Sequence, residues 1–83
     1  MNKKWIKQDI TEAKEQIDDI LKKFNKNNNY TVVDFELDMQ HVYSHLNVAY
    51  NTRHWTVKEI NNFTDNDYNK VRKIPNDLTF IDY

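Results

Sequence analysis

The chain has 83 residues, a net charge of −1, no cysteine and no glycine. At that length a hydrophobic core supplies roughly 3–5 kcal/mol, and without cysteine there is neither a disulfide framework nor a thiolate metal site. Missing glycine excludes phosphate-cradling loops, dinucleotide fingerprints and nucleophile elbows, and near-neutral charge argues against a dedicated nucleic-acid binder.

The spacing predicts a first helix over residues 3–26. Ile6, Ile10, Ala13, Ile17, Ile20 or Leu21, and Phe24 recur in steps of four and three, a seam of coiled-coil type. Lys3, Lys4 and Lys7 open its polar face and Lys22, Lys23 and Lys26 close it, with Asp9, Glu12, Glu15, Asp18 and Asp19 between. The final lysines suit the negative end of the helix dipole and the initial ones oppose the positive end. The opening MNKKWIKQDI returns to charge too soon for a signal peptide, and no stretch reaches the length of a membrane span. A cytoplasmic protein is expected.

Asn25 to Tyr30 reads as a turn in which asparagine, tolerant of left-handed backbone geometry, replaces glycine. Thr31-Val32-Val33-Asp34 then has the form of a capping box, and a second helix is predicted over residues 32–54. Phe35, Met39, Val42, Leu46 and Ala49 form its main stripe, with Tyr43, Tyr50, Leu37 and Val48 adding apolar surface on other sides. Folded back on the first helix about Asn28, it sets Phe24 beside Val32, Ile17 beside Met39, Ile10 beside Leu46, and Ile6 beside Ala49 or Tyr50. A competing pattern is present. Val33, Phe35, Leu37 and Met39 alternate with acidic residues, which fits a strand over residues 31–39.

Beyond Trp55 the predicted elements are short. Thr56-Val57-Lys58-Glu59 and Thr64-Asp65-Asn66-Asp67 are two further capping boxes, opening helices over about 57–63 and 65–74 before Pro75. The tail, residues 75–83, carries Leu78, Phe80, Ile81 and Tyr83 and is apolar enough to pack on the hairpin or on another chain. Trp5 and Trp55 are expected to meet at the open end of the hairpin. The fold class that results is all-α: one domain, residues 1–83, with a long antiparallel two-helix hairpin, two short helices and a packed tail.

No catalytic constellation emerges. Ser44 adjoins His45, but neighbours on a helix point about 100° apart. His41 and His45 stand one turn apart with Asp38 a turn earlier, a spacing open to zinc; the HExxH pattern is missing and no third strong ligand is evident. Neither a metal nor a cofactor is therefore expected, and the protein is read as non-enzymatic. Asn47, Asn51 and His54 share a face that leads to Trp55, either a polar recognition patch or a brace for the C-terminal helices. Leu37, His41 and Val48 form a back stripe, covered by the C-terminal helices or left for a partner.

The expected function is binding another protein, as an adaptor, regulator or inhibitor, with a homodimer as one form. Its candidate contacts are Leu37, His41, Asn47, Val48, Asn51, His54 and Trp55. The alternative is a nucleic-acid-binding regulator whose short C-terminal helices place Lys70, Arg72 and Lys73 on phosphates. The abundance of lysine, asparagine and isoleucine matches the codon bias of an AT-rich genome, such as that of a low-GC bacterium or its phage.

Overall fold

The computed structural model describes residues 1–26 and 29–81. Asn27 and Asn28, the expected centre of the hairpin turn, lie outside the described residues, as do Asp82 and Tyr83 of the tail. Among the described residues four helices follow in order: α1, Lys3–Lys26; α2, Val32–Asn51; α3, Val57–Asn61; and α4, Asp65–Val71. No strand occurs among the described residues, so the alternating run Val33 to Met39 is helical. The capping box at Thr31 starts that helix, and Phe35 packs its ring 5.6 Å from that of Phe24.

All three capping boxes form. Thr31, Thr56 and Thr64 each accept the third-residue amide, from Asp34, Glu59 and Asp67 respectively, at 3.2 Å. Each of those acidic side chains accepts the threonine's own amide in return, at 3.0–3.1 Å. Two of the four orphan donors at each helix start are thereby satisfied. α1 opens differently, with Asn2 Oδ1 accepting the Trp5 amide at 3.0 Å.

α1 ends at Lys26 as predicted, whereas the three later helices end earlier than their apolar spacing predicts. α2 stops at Asn51, where the Thr52 hydroxyl turns back to donate to the Val48 carbonyl at 2.7 Å. The next amides close tight turns, Arg53 to Tyr50 O and Trp55 to Thr52 O. α3 ends at Asn61 and closes the same way, Phe63 to Ile60 O. α4 ends at Val71, four residues before Pro75, whose ring would collide with that carbonyl in a continued helix. Among the described residues none has a positive φ: tight i→i−3 turns do here what a glycine does at many helix ends.

α1 and α2 pack along their length and antiparallel, and α4 packs on α2. The buried apolar side chains are Ala13 and Ile20 of α1, Val42, Val48 and Ala49 of α2, and Val71 of α4. On α1 the line facing α2 is rotated from the predicted seam. Trp5, Asp9, Gln16 and Lys23 are half-buried around Ala13 and Ile20, whereas Ile10, Ile17, Leu21 and Phe24 lie exposed, from 43% for Ile17 to 59% for Phe24. Polar pairing explains the rotation, because Trp5, Asp9 and Lys23 all bond across to α2. At the turn end, the predicted partner of Phe24, Val32, is exposed, and Phe24 packs instead on Tyr30 and Phe35.

Candidate interaction surface

The hairpin has two unlike edges. Along one, polar groups bridge the helices. The Trp5 indole donates to the Thr52 hydroxyl at 2.9 Å, and Thr52 is fully buried at 0% exposure. His45 Nδ1 lies 3.3 Å from Asp9 Oδ1 and 3.2 Å from Glu12 Oε2. Lys23 donates to Asp38 at 2.9 Å and the Tyr30 hydroxyl donates to the same carboxylate oxygen at 2.7 Å.

These contacts set the local charge states. The bonds from Tyr30 and then Lys23 hold the Asp38 carboxyl below its ordinary range. Desolvation and the bond to Asp38 push the Tyr30 phenol up to about 12, so it stays a donor at neutral pH. Burial pushes Asp9 the other way, up from the usual carboxylate value, against the opposing pull of His45.

Asp9, Glu12 and His45 each bring one potential ligand atom within 4.8 Å of the others, and all three side chains are half-buried. This trio differs from the predicted grouping of His41, His45 and Asp38. His45 turns to α1, and Asp38 Oδ2 accepts from Lys23 and Tyr30. The simplest role for the trio is a polar bridge in which the imidazole Nδ1 faces two carboxylates across the helix interface.

The opposite edge is apolar and open. Ile6 and Ile10 of α1 and Tyr43, Leu46 and Tyr50 of α2 line one cavity of about 510 Å³, closed at its far end by Pro75, Leu78 and Phe80 of the tail. From Ile10 the α1 stripe continues at helical spacing through Ile17, Leu21 and Phe24, all exposed. From Leu46 the α2 stripe runs back through Met39 and Phe35, both half-buried. Lys14, paired with Asp18 at 3.2 Å, falls between Ile10 and Ile17 on α1, and no charged side chain falls on that face between Ile17 and Phe24. The tail is anchored where it crosses the end of α2. Pro75 is buried, and Arg53 stacks 3.9 Å over the Tyr50 ring while bonding Asp77 at 2.6 Å. Beyond that anchor Phe80 is 86% exposed.

No known protein-family model, curated protein or solved structure matches the chain.

The residues expected to meet a partner are distributed unevenly. Leu37 and His41 are exposed on the polar side of α2, Leu37 bordering a hollow with Lys23, Tyr30 and Asp38. Val48, expected on the same stripe, is 3% exposed. α4 covers the C-terminal half of α2 and leaves the N-terminal half bare, so the stripe is split and Val48 belongs to the core. Asn47 and Asn51 are braces. Asn47 donates to the Arg72 carbonyl at 2.8 Å, and Asn51 to the carbonyls of Val71 and Lys73 at 2.7 and 2.8 Å. His54 is exposed and apart from them. Trp55 does not stack on Trp5; Phe63 stands against both, at 5.9 and 5.3 Å between ring centres.

Two features escaped the sequence reading. Thr52 carries no motif, and its burial depends on Trp5, 47 residues away. The open edge of Ile10, Ile17, Leu21 and Phe24 was legible as a seam but not as an exposed one.

Proposed function

We propose that this protein acts by binding another protein through the open apolar edge of its hairpin, and not by catalysis. The observation that carries the reading is the row of exposed apolar side chains Ile10, Ile17, Leu21 and Phe24 on α1, flanked by Tyr43 and Leu46 on α2. Contiguous apolar surface rimmed by polar residues marks interaction sites on small domains. The polar edge, by contrast, already spends its donors and acceptors inside the fold. In this reading the chain is an adaptor, regulator or inhibitor that works by occupying a surface. The short C-terminal helices brace α2 and carry no feature that favours nucleic acid over this reading.

The test is accessibility. At high dilution the protein is expected to enhance the fluorescence of an apolar-surface dye, and the double variant Leu21→Glu/Phe24→Glu is expected to lose that enhancement at unchanged helical content. A wild-type protein that neither binds the dye when dilute nor associates when concentrated overturns the proposal.

A further inference from the structure

We infer that the occupant of this edge is a second copy of the chain, two hairpins meeting face to face as a four-helix bundle. The inference rests on the reading above, that the edge is a binding surface, and adds what binds there.

Area is the first argument. The chain exposes 6882 Å², whereas a compact monomer of 10.1 kDa exposes about 5300 Å². Its radius of gyration, 14.8 Å, likewise exceeds the value of about 12 Å for a compact chain of this length. Part of that surplus lies on this edge. Ile10, Ile17, Leu21, Phe24, Tyr43 and Leu46 are 38–59% exposed, presenting on the order of 100 Å² each. With the half-buried Phe35 and Tyr50 beside them, that approaches the roughly 800 Å² that each partner contributes to a standard interface.

Self-complementarity is the second. In a two-fold interface the same patch lies on both sides, so a charge near the centre would face its own copy. From Ile17 to Phe24 this stripe has none, and Lys14, between Ile10 and Ile17, is paired with Asp18. The stripe's steps of seven, four and three along α1, from Ile10 to Phe24, are the spacing by which antiparallel bundle helices interdigitate. A two-helix layer with one apolar edge is half of such a bundle.

The deciding experiment is sedimentation or light scattering of the full chain across a micromolar concentration series. The mass is expected to rise from 10.1 kDa towards twice that value. Leu21→Glu on α1 and Tyr43→Glu on α2, both at positions exposed in the single chain, are each expected to weaken the dimer by about tenfold or more, with helical content unchanged. Leu37→Glu, on the polar side, is expected to leave the mass series unaltered. A monomer at every concentration overturns the second-copy inference; if it still binds dye, the surface reading stands and the partner is a different protein. A dimer broken by Leu37→Glu but not by Leu21→Glu also overturns the inference. A monomer that binds no dye removes both readings.

Discussion

Thr52 shows how much one small side chain can organise. Its hydroxyl donates to the Val48 carbonyl, ending α2, and accepts the Trp5 indole, tying the start of α1 to the end of α2. Thr52→Val keeps the shape and removes both bonds, leaving the indole N–H facing a methyl group. The expected loss is about 1–3 kcal/mol, read from denaturant midpoints. Trp5→Phe made in the Thr52→Val background is expected to lose less than in the wild type, since the two residues share one interaction. Asp38 gives a pH signature. Its carboxyl is lowered by the bonds from Tyr30 and Lys23. The stability it contributes is therefore present above the ordinary carboxylate range and lost as pH falls through the folded value. A melting temperature that drops between about pH 5 and pH 3 is expected, and Asp38→Asn is expected to flatten that drop. Asp9 has the opposite sign. Its carboxyl is raised, its contribution fades as pH increases, and Asp9→Asn is not expected to flatten the acid limb.

At the scale of the element, α4 is the instructive case. Seven residues are too few to hold a helix in water, so it depends on its capping box at one end and on α2 at the other. Asn51 supplies the second support, its amide reaching the Val71 and Lys73 carbonyls that α4 leaves without partners. Asn51→Ala is expected to cost about 1–2 kcal/mol and to speed amide exchange over residues 65–73 while α1 and α2 stay protected. Asn51→Asp is expected to be worse than alanine, because it sets a carboxylate against two carbonyl oxygens. α1 and α2 support each other differently. Their polar edge fixes register through Asp9–His45 and Lys23–Asp38, and their shared seam is narrow, with Ala13 and Ile20 the buried apolar residues of α1.

For the whole molecule the balance follows from that narrow seam. A hairpin that spends one edge on polar bridges and leaves the other open buries little apolar surface per residue, and the net stability of a small chain is a small difference between large terms. In the proposed dimer, association becomes part of folding. A melting temperature that climbs with protein concentration is the expected companion to the rising mass, since whatever binds the folded state stabilises it by mass action. The tail sits where it could tune this. Arg53–Asp77 and buried Pro75 fasten it at the mouth of the apolar cavity, and Phe80 is left exposed beside the surface that a second copy would cover.

Local chemistry was legible in the sequence because it is decided within a few residues. Three threonine-led capping boxes, the stop before Pro75 and the two long apolar periodicities announced an all-α hairpin with two short helices, and each box closed as its spacing required. The Asn51 brace was half legible, offered as one of two uses for an amide on that face. Which way the helices turned was not legible. Moving the contact line on α1 by one residue exchanges Ile10, Ile17 and Leu21 for Asp9, Gln16 and Ile20, and periodicity alone cannot choose between adjacent stripes when both suit a helix. Only the tertiary structure made that choice, through bonds spanning 15 to 47 residues, Lys23 to Asp38, Asp9 to His45 and Trp5 to Thr52. Val48 was likewise unreadable, because its burial is set by where α4 lands. Short-range hydrogen bonding wrote the helices into the sequence; long-range polar pairing decided which apolar face was left exposed.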